Sequence, residues 1–182
     1  TDLGSPPYTK KTFSGERYTI LACRSRGHNV PLVNGCEQQT GSKYQAHLLD
    51  KSFGEVEDKI AFNLKDLYPD EAGLNRLERE FVLNREHNGF VTVKDKFEFS
   101  RKQPGSMVEH FYSFNQIIKE KNHFEVQGED YDLNIEFGDQ VEEFEAEVEH
   151  LKNAVGSQNV YRLKISLNQV VQGELKVSFI PE

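Results

Sequence analysis

The run Cys23-Arg24-Ser25-Arg26-Gly27-His28-Asn29-Val30-Pro31-Leu32-Val33-Asn34-Gly35 holds the densest set of reactive side chains in the chain. An imidazole titrates near neutrality and serves as general acid or base, so His28 is the candidate catalytic residue. Guanidinium and amide groups close to it suit a carboxylate or sugar hydroxyls. That makes Arg26, Asn29, Asn34 and Gln39 the candidate substrate-binding residues. Gly27 allows a bend just before His28, and Pro31 excludes a regular central strand soon after it. His28 is therefore expected at a strand end or bend, facing a cleft. A lone histidine also serves as a satisfied core residue, and that structural reading stands beside the catalytic one.

Other constellations carry less chemistry. His47, His87, His110 and His123 are scattered, and no pair has a local metal-ligand spacing, so no metal and no cofactor is expected. There is no glycine-rich phosphate loop, no nucleophile elbow and no pair of carboxylates at a readable catalytic spacing. Tyr68 is expected to pack, and the arginines between positions 76 and 85 to line a solvated strand face. Cys23 and Cys36 flank the His28 run. A disulfide across adjacent antiparallel strands and two separate thiols are both open readings.

The elements that must position these residues are strands. Period-two alternation marks residues 17–24, 43–50, 77–84, 90–99, 107–114, 123–127, 131–137, 142–151, 160–167 and 173–180. The turn residues Asn88-Gly89 join two of these runs into the most secure hairpin. Helix signals are limited to a short turn near Pro69. So many strands imply two stacked sheets: an all-β, two-sheet antiparallel β-sandwich, large and supersandwich-like, with little helix. One domain over residues 1–182 is expected, and Thr1-Asp2-Leu3-Gly4-Ser5-Pro6-Pro7 reads as the edge of a piece of a longer protein.

Composition bounds the partners. A formal net charge of −8 argues against nucleic acid, whose phosphates require a basic surface. No apolar run approaches the roughly 20 residues of a membrane helix, so no membrane partner is expected. The charge is unevenly placed: Lys10, Lys11, Arg17, Arg24 and Arg26 make the start basic, and acid dominates residues 125–149. An acidic polysaccharide or oligosaccharide is thus a partner the first half could meet, whereas the acidic stretch reads as a solvated face.

Several ordered blocks resemble one family. Phe13-Ser14-Gly15-Glu16-Arg17-Tyr18, then Ser25-Arg26-Gly27-His28-Asn29-Val30-Pro31-Leu32-Val33-Asn34-Gly35, then Gln39-Thr40-Gly41 are similar to the start of the C-terminal β-domain of heparinase II/III-like proteins. Asn63-Leu64-Lys65-Asp66-Leu67-Tyr68-Pro69, the run 77–85 and the run 91–97 resemble its next blocks, so the likeness covers about the first hundred residues.

The resemblance implies a polysaccharide lyase with an N-terminal α-helical toroid followed by an antiparallel β-sandwich. Such enzymes cleave uronic-acid polysaccharides by β-elimination. A base takes the C5 proton, the uronate carboxylate is neutralised, and an acid protonates the leaving oxygen. It places most of that machinery on the toroid, which lies outside this chain, and has the β-domain contribute one histidine to the inter-domain cleft, matched here by His28. The chain alone is then expected to be inactive, its parent periplasmic or secreted. Some relatives carry a divalent metal, but no full ligand set is matched here. Arg26 stands where alginate-lyase-like relatives carry a second histidine, which weakens any transfer of alginate specificity. The alternative is a non-catalytic carbohydrate-binding or structural β-sandwich. Exposed aromatic platforms would favour it, and the lack of Trp weighs against it.

Overall fold

The computed structural model describes residues 3–100, 103–138, 143–155 and 158–182. Twelve strands lie among them: β1 (Leu32–Val33), β2 (His47–Phe53), β3 (Glu57–Asn63), β4 (Leu74–Asn84), β5 (Phe90–Phe99), β6 (Gly105–Ser113), β7 (Ile117–Lys119), β8 (Phe124–Val126), β9 (Leu133–Phe137), β10 (Glu145–Val155), β11 (Gln158–Val170) and β12 (Gln172–Pro181). They form a narrow sheet, β1-β6-β11-β10, and a wide one, β2-β3-β4-β5-β12-β9-β8-β7, both antiparallel. The expected all-β sandwich is what forms, and helix among the described residues is confined to short 3₁₀ turns.

Alternation decides what faces inward. On β4 and β5 the partners Leu77 and Phe97, Arg79 and Asp95, and Phe81 and Val93 share one face of the wide sheet. On β6 and β11 the pairs Met107 and Leu167, Glu109 and Ile165, and Phe111 and Leu163 face them from the narrow sheet. Leu77, Phe97, Phe99, Met107, Leu163, Ile165, Leu167 and Leu175 fill the space between, each burial contributing roughly 1.5–3 kcal/mol. The Asn88-Gly89 hairpin forms as expected. β4 pairs with β5, and His87 and Gly89 take positive φ in the turn.

Residues 3–30 depart from expectation. The alternation over 17–24 predicts a strand, yet this stretch folds as successive 3₁₀ turns, Gly15–Thr19, Leu21–Cys23 and Ser25–Gly27. Its backbone bonds are local: Ile20 donates to the Arg17 carbonyl, Cys23 to Ile20, Gly27 to Arg24 and His28 to Ser25. The reason is placement. This arm crosses the outer face of the narrow sheet, where Leu3 and Ala22 pack on Tyr112 and Val160 and no sheet edge offers a ladder. The arm is thus a third layer.

Smaller differences follow the same logic. β2 begins at His47, not at 43, and β3, a charge-rich strand without obvious alternation, was not expected. β1 is a two-residue edge strand beginning just after Pro31, where a proline is tolerated. Thr1, Asp2 and the start of the expected 142–151 strand, Glu142, lie outside the described residues. Among the described residues no helix is long and apolar enough to cross a membrane.

Candidate functional site

The His28 run is held from three sides. Gly27 must be glycine because a Cβ there would sit 2.1 Å from the Leu21 carbonyl oxygen, so the last two 3₁₀ turns stack only without a side chain. His28 leaves the final turn in extended conformation (φ −124°, ψ 166°), its N–H donating to the Ser25 carbonyl at 3.0 Å. It is half-buried, at the bend that the Gly27 signal predicts. Asn29 then ties the run to both sheets. Its Oδ1 accepts from the Tyr112 N–H of β6 at 3.0 Å, and its carbonyl accepts from Arg79 Nη1 of β4 at 2.6 Å.

Arg24 and Arg26 converge on Glu37. Arg24 donates through Nε to Oε2 at 3.0 Å and through Nη2 to Oε1, and the Arg26 N–H reaches Oε2 at 3.3 Å. Arg26 Nε lies 3.5 Å from the same carboxylate. Burial alone would raise the Glu37 carboxyl, but the Arg24 guanidinium and the Arg26 N–H outweigh it and hold it below the usual range. The guanidinium pair read as a carboxylate cradle thus already holds one from the chain itself. Arg26 keeps 43 % of its side chain exposed, and its carbonyl accepts from the Tyr112 hydroxyl at 2.5 Å.

The remaining two candidates sit further along the same segment and are anchored in the scaffold. Asn34, at φ 49°, donates through Nδ2 to the Ala72 carbonyl at 2.8 Å and accepts through Oδ1 from the Ser106 N–H at 2.7 Å. Gln39 is held by its backbone, its N–H donating to the Leu67 carbonyl at 2.8 Å. Beneath them Tyr68 packs as expected, its hydroxyl donating to the Pro31 carbonyl at 2.6 Å.

Sequence reasoning missed what lies behind Asn29. Arg79 does not line a solvated face: it is buried between the sheets with Asp95 and Glu109. Its Nε and Nη2 clasp the Asp95 carboxylate at 2.7 and 2.6 Å, and Nη2 also meets Glu109 at 2.8 Å. Burial, reinforced by the Asp95 charge, pushes the Glu109 carboxyl well above its usual range despite Arg79. One cation facing two dry carboxylates is balanced when Glu109 keeps its proton. A signal existed: Arg79 falls between Leu77 and Phe81, Asp95 between Val93 and Phe97, and Glu109 between Met107 and Phe111, all at core-facing parity.

A groove of about 1060 Å³ opens between the sheets beside this run, with Asn29 and Tyr112 on its rim and Phe81, Phe111, Ile135 and Phe179 in its walls. Of the five candidates Asn29 lines this groove, and Asn34 and Gln39 fasten the following segment. Arg26 and His28 precede Asn29 in the same run but are not among the residues that line the groove, so the expected cleft-facing position of His28 is not met there. Among the described residues no group of three His, Cys, Asp or Glu is placed to hold a metal ion. Cys23 and Cys36 are free thiols, Cys23 in a 3₁₀ turn rather than on a strand opposite Cys36.

No protein-family model matches the chain. No curated protein matches it either. Solved structures do match in fold. Heparan sulfate lyase HepC from Pedobacter heparinus superposes with a TM-score of 0.73 at 12 % identity, covering 99 % of this chain and 28 % of that one. A mutant of the same lyase gives 0.71 at 15 % identity, with 99 % and 28 % covered. Heparinase III gives 0.69 at 10 % identity, covering 99 % of this chain and 27 % of its own. The chain spans little more than a quarter of the length of these lyases, and over nearly all of itself it has the β-sandwich fold of that part of them.

Proposed function

We propose that this chain is the C-terminal β-sandwich part of a heparinase II/III-like polysaccharide lyase that cleaves uronic-acid-containing polymers by β-elimination. The observation that carries the reading is the fold match over 99 % of the chain to heparan sulfate lyases, together with a half-buried histidine, at the residue the resemblance singles out, next in sequence to the groove-lining Asn29. In this reading the chain lines one wall of the substrate cleft. An N-terminal helical domain of the same protein supplies the base and acid that move the C5 proton and the leaving oxygen.

His28 then acts on the uronate carboxylate. A protonated or hydrogen-bonding imidazole beside that carboxylate withdraws charge from C5 and lowers the cost of the carbanion-like transition state. Arg26, with its exposed guanidinium tethered to Glu37, adds positive potential on the same side. Asn29 holds the run at its set distance from the sheets. Asn34 and Gln39 keep the segment in place behind it. Export to the periplasm or outside the cell accords with polymers that lie there.

The test is steady-state kinetics in the complete lyase. His28→Ala lowers kcat at least tenfold if the contact forms mainly in the transition state, or raises KM at constant kcat if it binds substrate and transition state alike. Unchanged kcat and KM remove the role. The 182-residue chain by itself releases no unsaturated uronate, and turnover by it would show that the machinery is here.

A further inference from the structure

We propose that the beginning of the arm, residues 8–18, is a second binding surface for anionic sugar, built from the Tyr8–Phe13 ring pair and the cations around it. This extends the lyase reading and rests on it for the choice of a uronate- or sulfate-bearing sugar.

The rings are exposed although they are held in order. Tyr8 is 79 % and Phe13 76 % exposed, yet their centroids lie 5.5 Å apart at 49°. A tight turn sets that spacing. Thr12 is buried and donates through its hydroxyl to the Pro7 carbonyl at 2.9 Å, its N–H bonds the Thr9 carbonyl at 3.1 Å, and the Ser14 hydroxyl donates to Lys11. Nothing in the turn requires aromatic side chains: its bonds are made by threonine, serine and backbone. Two adjacent rings open to solvent form an apolar platform of the kind that receives the C–H face of a pyranose ring.

The charge around the platform selects the sugar. Lys10, Lys11 and Arg17 surround it in sequence against a single carboxylate, Glu16, in a chain whose net charge is −8. Several surface cations on the strands are matched by carboxylates, as in Lys59 and Lys94 on Glu80, Arg85 on Asp58, and Lys164 on Glu147. Among the described residues none of the three arm cations forms an ion pair. Arg17 lies over the Tyr18 ring at 5.4 Å instead. Exposed rings with unneutralised cations fit a ligand that is apolar on one face and anionic at its edge, which is a uronate or a sulfated sugar. A neutral glycan leaves the cations unused, and an acidic peptide leaves the rings unused.

Binding of the 182-residue chain is measured by calorimetry against four probes: a sulfated uronate octasaccharide, an unsulfated uronate octasaccharide, a neutral glucan octasaccharide and a polyglutamate of similar charge. At least one anionic sugar is expected to bind tenfold or more tightly than the neutral glucan and the polyglutamate, and the tighter of the two names the group read. Tyr8→Ala with Phe13→Ala weakens it at least tenfold with the melting temperature unchanged, since both rings are in solvent. Lys10→Gln with Lys11→Gln weakens it and flattens its salt dependence. Ring-variant affinity equal to wild type, or polyglutamate or neutral glucan binding as tightly as the sugars, overturns the proposal. His28→Ala separates the two ideas. Affinity lost with the rings but kept without His28 supports the arm and counts against the lyase contact, and the reverse pattern overturns the arm alone.

Discussion

The two faces of the narrow sheet are covered in different ways. Inside, toward the wide sheet, Met107, Phe111, Leu163, Ile165 and Leu167 meet a continuous apolar layer interrupted by one buried ion cluster. Outside, the arm lies over Tyr112, His110 and Val160 with few apolar anchors, and polar ties do much of the holding. There the Tyr112 hydroxyl donates to Arg26 while Arg162 reaches that hydroxyl at 3.4 Å and pairs with Glu149. Dispersed apolar burial is cooperative and insensitive to pH, whereas a thin layer held by polar ties opens locally at lower cost. His28 sits where these regimes meet, its run pinned inward by Arg79 and outward by Tyr112.

The largest effect is expected from the inner side. Arg79→Met leaves Asp95 and Glu109 dry without their cation and frees the Asn29 carbonyl, for a loss of about 3–5 kcal/mol in urea denaturation. Replacing all three residues by apolar ones of similar volume should restore most of that loss while leaving the His28 run less protected in hydrogen exchange.

On the outer side the lever is pH. Burial, then the charges of Arg162, Arg26 and Lys164, lower the His110 imidazole to about 4. A histidine depressed in the folded state contributes stability that is present above the unfolded value near 6.5 and is lost as pH falls through that value toward 4. That is up to about 3 kcal/mol between pH 6.5 and 4. Comparison of wild type with His110→Gln should show the slope reduced in the variant. Arm amides 20–28 should exchange before those of β5 and β12 as the pH drops.

Two smaller effects sharpen the contrast. Gly27→Ala drives a methyl into the Leu21 carbonyl and should cost about 1–3 kcal/mol, with chemical-shift changes confined to the arm. Asn34→Ala strands the Ser106 N–H and the Ala72 carbonyl and should cost roughly 1–2 kcal/mol, with Asn34→Gly milder because φ is positive there.

Local chemistry explains what was readable in advance. Asn88-Gly89 dictated a hairpin, and the alternation in β11 and β12 dictated strands with one apolar face. Which sheet each joins was not readable: β11 and β12 are consecutive yet lie in opposite sheets, because pairing depends on distant partners. Residues 17–24 alternate like a strand, but period two is satisfied only where an edge is available, and the arm has none. At the site, the bend before His28 followed from Gly27 and Pro31. The capture of Arg24 and Arg26 by Glu37 did not, since an ion pair between residues 11–13 apart in a non-repeating segment leaves no periodic trace.

The central claim is that the segment carrying His28 meets uronate, and NMR titration of the 182-residue chain with a uronate oligosaccharide tests it most directly. Saturable shifts of the His28 ring and of amides within residues 24–39 are expected, with the amide shifts reduced by His28→Ala and none of them produced by a neutral glucan. Shifts that leave residues 24–39 untouched at saturating oligosaccharide would contradict it.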